Sequence, residues 1–195
     1  PKDLNGVMVP GFVPWRHLRR NSFPDTLYDR LKAIPGFNVQ ELAWDFEQEK
    51  QSGNELSDAD REEWVSYHLP REKQWFKVAE HLMSEEAPDL MAVLFDGVDK
   101  LQHQAWPYVD PAMQTAEPSA FHTRMRELSL GYFRQLDGFI EQLVKAAGPE
   151  VQVFMSSDHG FTASTEIVRI NAYLAEKGYV HFRELPPGDA GQRRD

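Results

Sequence analysis

The stretch DLMAVLFDG at residues 89–97 is an almost unbroken apolar run with the length of one β-strand. A similar run, VQVFMSS, occupies residues 151–157. Continuous hydrophobicity over so few residues is typical of strands that are covered on both faces, as in a parallel sheet. Between the two runs, residues 119–147 carry apolar side chains at helical spacing. The order strand, helix, strand therefore predicts an α/β arrangement.

The rest of the chain extends this alternation. Residues 5–14 predict a short buried strand followed by a loop rich in Pro and Gly, and residues 37–44 predict a further strand. Residues 24–34 predict a helix between them. Ser57, followed three residues later by Asp60, resembles an N-cap that starts another helix. We therefore predict a three-layer αβα domain built on a mostly parallel sheet.

Composition limits the kinds of function that this chain can have. A length of 195 residues with 41% hydrophobic residues fits one folded domain, which we place at residues 1–183, with a flexible tail at 184–195. The net charge of −10 argues against binding to the nucleic-acid backbone, which requires a basic face. No apolar stretch approaches the roughly 20 residues of a membrane span. The lack of cysteine and of a signal peptide predicts a cytoplasmic location.

Two Asp/His pairs carry the chemistry of the sequence. Asp99 and His103 follow the strand predicted at residues 89–97. Their i, i+4 spacing places both on one face of a helix. Asp158 and His159 directly follow the strand predicted at residues 151–157. Because parallel strands end at the same edge of a sheet, we expect the two pairs to meet there. Carboxylate oxygens and imidazole nitrogens suit Zn²⁺, with Mn²⁺ or Fe as alternatives, and the four residues are predicted metal ligands.

Each pair also has a purely structural interpretation. Asp99 could serve only as a helix N-cap, and residues 158–160 could form an ordinary polar turn. Ser156 and Ser157 cannot form a hydrolytic triad with the neighbouring Asp and His, because adjacent residues cannot converge on one another. The sequence therefore predicts no catalytic nucleophile, and the metal interpretation depends on both pairs occurring together.

At these residues the sequence resembles a known family. The segments LFDGVDKLQHQAW and MSSDHGF, followed by VRINAYLAEKGYV, are similar to the type I phosphodiesterase/nucleotide pyrophosphatase group of the alkaline phosphatase superfamily. The opening NGVMVPGFVPWRHLRRNSFPDTLYDRL is similar to the segment that follows the nucleophile in bacterial members. The resemblance implies an alkaline-phosphatase-like fold and a hydrolase with two divalent metal ions. It assigns one ion to Asp99 and His103 and the other to Asp158 and His159.

The resemblance also marks what the chain lacks. The family places an aspartate ligand at the end of its first strand and a Thr or Ser nucleophile after it, and both positions would precede Pro1. Thr162 and Thr165 do not match the nucleophile position, and a further His ligand of the family would follow the last residue. The chain is interpreted as an internal portion of a longer hydrolase, without the N-terminal strand. We expect it to bind metal weakly or not at all and to show negligible turnover.

Three functional interpretations remain open at this level. The first is part of a two-metal hydrolase that acts on phosphodiesters, nucleotide pyrophosphates or phosphomonoesters, with a small phosphate ester as substrate. The second is a non-catalytic α/β interaction domain that keeps the Asp/His pairs as caps and turn residues. The third is a relative of the sulfatases or phosphoglycerate mutases, which share the metal core. A sheet edge left exposed by a missing strand would favour pairing between chains, and hence a homo-oligomer.

Overall fold

Helices dominate the computed structural model, which describes residues 5–11, 13–42, 56–164, 166 and 168–182 and is 57% helical. The chain divides into two compact units, Pro1–Phe161 and Thr162–Asp195. The first unit contains α1 (Trp15–Asn21), α2 (Leu27–Lys32), α3 (Asp58–Glu86), α4 (Gly97–Val109) and α5 (Ala120–Ala147), with a short 3₁₀ helix at Pro111–Met113. The second contains α6 (Ile170–Glu176). The predicted boundary between residues 183 and 184, and the predicted tail, lie outside the described residues.

The predicted three-layer αβα fold with a parallel sheet is wrong for this structure. The described residues contain no sheet, and residues 39–42, predicted as part of a strand, form turns. Strand-type pairing within the described residues is an isolated antiparallel bridge, in which Met8 and Phe23 exchange backbone hydrogen bonds of 2.8 and 2.9 Å. Residues 89–95 and 151–157 are neither helical nor paired as strands.

The physical reason for this difference is that an apolar run in the sequence does not specify which other segment pairs with it in a sheet. A strand requires neighbours that satisfy its backbone N–H and C=O groups and cover its side chains. Here most side chains of the two runs face solvent: Leu90 is 88% exposed, Phe154 86% and Met155 77%, while Met91 and Phe95 pack partly against the helical clusters. Hydrophobicity therefore predicted strands buried on both faces, but the described part of the chain covers only Met91 and Phe95 of the first run, and those only in part.

The main core lies between α3, α4 and α5. Apolar side chains on the inner faces of these helices form one cluster, and Phe76 of α3 stacks on Phe139 of α5 with ring centroids 4.3 Å apart. The buried members of this first cluster are Trp64, Val65, Leu101, Ala105, Met125, Tyr132 and Leu136. The helix predicted over residues 119–147 is confirmed as α5, with Ser119 as its N-cap. Its apolar stripe is what packs it against α3 and α4.

A second cluster joins the N-terminal helices to the C-terminal half of α3. Its buried members are Leu18, Leu27, Leu31, Leu42, Val78 and Leu82. The predicted helix at residues 24–34 is present as the shorter α2. Because α3 has 29 residues, it extends over roughly 43 Å at 1.5 Å per residue and contributes to both clusters. Among the described residues, no helix combines the length and apolar character that crossing a membrane requires.

The predicted N-cap of α3 is confirmed. Asp60 N–H donates to Ser57 Oγ at 3.2 Å, and Ser57 N–H donates to the Asp60 carboxylate at 3.3 Å, which completes a capping box. We expect Ser57→Ala to lower the free energy of unfolding by about 1 kcal/mol, because it leaves an N-terminal N–H without its acceptor. Urea denaturation measures this change. Ser66→Ala, at an exposed interior position of α3, is the control and should be neutral or slightly stabilising.

Candidate metal centre

Asp99 and His103 lie one turn apart on α4, as their spacing predicts. Asp99 is in the first turn of the helix, and its Oδ1 lies 3.5 Å from Nε2 of His103. Both side chains are partly open to solvent, with exposed fractions of 47% and 62%. The pair therefore presents one carboxylate and one imidazole to an accessible surface of the first unit.

The second pair comes to the same place from a non-helical segment. His159 Nε2 lies 3.8 Å from Asp99 Oδ1 and 3.7 Å from Asp158 Oδ2. Asp99 thus faces both imidazoles, while Asp158 stands at the outer end of the group with 87% of its side chain exposed. The structure brings together all four residues that the sequence singled out, although the sheet edge that was expected to unite them is not present among the described residues.

The Oδ1 atom of Asp99 is the most unusual atom of this group. It is buried, yet among the described residues it has no hydrogen-bond partner. The two imidazole nitrogens that face it stand at 3.5 and 3.8 Å, beyond the ordinary range of a hydrogen bond. Leaving a buried carboxylate oxygen unsatisfied costs free energy, so a cation between these groups would supply the missing interaction.

His159 is held in an orientation that suits a ligand. Its Nδ1 lies 2.9 Å from the backbone oxygen of Gly160, and this contact fixes Nδ1 as the protonated nitrogen of the neutral ring. Nε2 of the neutral ring then carries the lone pair and lies 3.8 Å from Asp99 Oδ1 and 3.7 Å from Asp158 Oδ2. The same Gly160 oxygen, followed by the charges of Asp158 and Asp99, raises the pKa of His159 above its ordinary value. A backbone acceptor on the second ring nitrogen is the usual support for a metal-binding histidine.

Aromatic packing holds the second pair against α4. The ring of Phe161 meets His103 edge to face, with centroids 5.1 Å apart, and contacts Trp106 at 5.3 Å. Ser157 Oγ donates to the backbone oxygen of His159 at 2.6 Å, which closes a tight turn around Asp158. Phe161 was not among the site residues predicted from the sequence. The signal was its position two residues after His159, where a large apolar side chain could anchor the turn.

The donor set fits a borderline divalent cation, with one restriction. Two ligands of a tetrahedral Zn²⁺ ion lie about 3.3–3.5 Å apart when each is about 2.0–2.1 Å from the metal, and the Asp99–His103 spacing of 3.5 Å agrees. However, no group of three or more His, Cys, Asp or Glu side chains in the described part of the chain is arranged to hold a metal ion. The arrangement therefore offers pairs of ligands, and metal binding by Asp99, His103, Asp158 and His159 stays a prediction.

Other histidines of the described residues have structural surroundings. His68 is buried against Trp64, with ring centroids 4.2 Å apart, and burial, aided by the charges of Lys100 and Arg71, lowers its pKa to about 3. His122 packs against Tyr108 at 5.2 Å. Both histidines therefore pack on aromatic side chains.

Paired carboxylates and imidazoles form the donor set that metal-dependent hydrolases use to bind divalent cations. A family model described as Type I phosphodiesterase / nucleotide pyrophosphatase matches residues 10–191. The chain belongs to this family, which confirms the resemblance carried by the two motifs. No curated protein and no solved structure matches the chain.

Proposed function

We propose that this chain contributes two ligand pairs to the metal centre of a two-metal hydrolase of phosphodiesters, nucleotide pyrophosphates or phosphomonoesters. Membership of the family supports the reaction class. The observation that carries the proposal is the buried, unpartnered Oδ1 of Asp99, which faces the Nε2 atoms of His103 and His159 at 3.5 and 3.8 Å. The substrate would be a small phosphate ester.

The position of each pair decides which of the two metal ions it would bind. Asp99 and His103 would hold one ion from the rigid first turns of α4, and Asp158 and His159 the other from the adjacent turn. Because Asp99 Oδ1 faces both imidazoles, its negative charge would serve both ions. Bound ions of this kind polarise a phosphoryl group and lower the pKa of a nucleophile. Zn²⁺ is the first candidate, and Mn²⁺ and Fe are the alternatives.

Metal titration by calorimetry tests the proposal directly. We expect Zn²⁺ to bind weakly to the wild-type chain and Asp99→Ala to weaken this binding further by more than about 100-fold, above the roughly 10–100-fold loss typical of residues that only support a ligand. Asp158→Ala should cause a smaller loss, because its carboxylate lies within 4 Å of one imidazole, whereas Asp99 faces two.

The control for this titration is Asp137→Ala, which removes an exposed carboxylate from α5 without touching the four residues. Its Zn²⁺ affinity should equal that of the wild type. Equal heats for the wild type and Asp99→Ala would refute the assignment of Asp99 as a ligand, and the absence of any binding to the wild type would refute the proposed site.

A further inference from the structure

The helix that carries Asp99 and His103 is not capped by its own sequence. Asp96 occupies the N-cap position of α4, but its side chain makes no capping hydrogen bond to the described first turn and pairs instead with Lys100 at 3.4 Å. The acceptor comes from another helix. Oε1 of Glu72, on α3, accepts the N–H of Gly97, the first residue of α4, at 2.9 Å.

Glu72 is almost entirely removed from solvent, with 1% of its surface exposed. Burial raises its pKa to about 7, while the hydrogen bond from Gly97 favours the charged form and acts in the opposite direction. The partial positive charge at the N-terminus of α4 also favours a carboxylate at this position. A buried carboxylate is costly, so its retention here indicates a specific interaction and not general packing.

Three helices meet at Gly97. A Cβ atom on this residue would lie 2.5 Å from Glu72 Oε1 on α3 and 2.6 Å from the hydroxyl of Tyr132 on α5. Tyr132 is 1% exposed, and its hydroxyl lies against the Glu72 carboxylate, an interaction that acts to lower the pKa of Glu72. The start of α4 is thereby clamped between the carboxylate of α3 and the ring of α5.

We propose that Glu72 is a positioning residue for the metal centre, fixing the first turn of α4 and with it the spacing of Asp99 and His103. This inference rests on the proposed function. Asp99 is two residues beyond Gly97, a rise of about 3 Å along the helix, so any fraying of the first turn moves Asp99 directly. His103 is one turn further on and more firmly held, so fraying would separate the two ligands of the pair.

Three variants at this position separate the hydrogen bond from simple packing. Glu72→Gln keeps an oxygen that can accept from Gly97, whereas Glu72→Met has similar volume and no acceptor for that N–H. Val78→Ala is the control for general destabilisation, because Val78 is buried in the second cluster, away from α4. The readouts are Zn²⁺ affinity by calorimetry and amide hydrogen exchange of residues 97–103 in the metal-free protein.

We expect Glu72→Met to weaken Zn²⁺ binding by about 10–100-fold, the range for residues that orient metal ligands, and to speed exchange in the first turn of α4. Glu72→Gln should restore affinity to within about 3-fold of the wild type, and Val78→Ala should leave it unchanged. If Glu72→Met does not fold, Glu72→Asp carries the test, because it keeps the charge but withdraws the carboxylate by one methylene.

The outcomes distinguish this inference from the function on which it rests. Wild-type affinity in Glu72→Met, or in Glu72→Asp with unchanged exchange at residues 97–103, overturns the positioning role and leaves the metal centre intact. A loss of affinity in Val78→Ala as large as that in Glu72→Met also overturns it, since general destabilisation would then explain both. A wild-type chain that binds no Zn²⁺ overturns the metal centre itself and the positioning role with it.

Discussion

Gly97→Ala is expected to lower the free energy of unfolding by about 1–3 kcal/mol, the usual cost of overpacking a filled core. Alanine is favoured over glycine within helices, so helix propensity alone does not predict a loss at Gly97, the first residue of α4. The contacts of the added methyl group decide the outcome. It would lie 2.5 Å from Glu72 Oε1 and 2.6 Å from the Tyr132 hydroxyl, and neither buried side chain can swing into solvent. Displacing Glu72 would also break its hydrogen bond with the Gly97 N–H.

Gly131→Ala is the matched control for this substitution. Gly131 also lies in a helix, α5, but it is exposed and an added Cβ would meet no atom within 4 Å. We expect this variant to be more stable than the wild type by about 0.5–1 kcal/mol. Urea denaturation of both variants gives the comparison. A stabilising Gly97→Ala would contradict the packing of α3, α4 and α5 around this residue.

Leu101→Ala is expected to cost about 2–5 kcal/mol, the range for a leucine deleted from a well-packed core. Leu101 is 1% exposed and belongs to the first cluster, at the junction of α4 with its neighbours. Removing its side chain leaves a cavity lined by residues of three helices, which cannot all collapse into it. The transition midpoint in thermal or urea denaturation reports this loss.

The same substitution at Leu90 tests the correction to the predicted fold. Leu90 belongs to the apolar run that the sequence predicts as a buried strand, yet it is 88% exposed. We therefore expect Leu90→Ala to change stability by less than about 0.5 kcal/mol. A cost similar to that of Leu101→Ala would show that Leu90 is buried in solution and would contradict its exposure in this structure.

The site was more predictable from sequence than the fold. The spacing of Asp99 and His103 and the adjacent Asp158 and His159 are local patterns, so the motif and the family could be identified without knowing the tertiary structure. The start of α3 was also predictable from local sequence, because Ser57 and Asp60 form their capping box within one turn. The sheet was not predictable in this way, since an apolar run is compatible with a buried strand or with an exposed extended segment.

Glu72 and Tyr132 show the other limit of sequence reasoning. Glutamate in a charged helix is usually solvated, and no motif near residue 72 indicates that its carboxylate is buried against the start of α4. Phe161 likewise belongs to the site through its packing on His103 and Trp106. These residues act through tertiary contacts between distant positions, which only the three-dimensional arrangement specifies.

The length of α3 has a consequence for how the first unit responds to heat. Its N-terminal half contributes Trp64 and Val65 to one cluster, and its C-terminal half contributes Val78 and Leu82 to the other. Because one helix spans both clusters and helix formation is cooperative, unfolding of one cluster is expected to destabilise the half of α3 that carries the other. The stabilities of the two clusters are therefore coupled through α3.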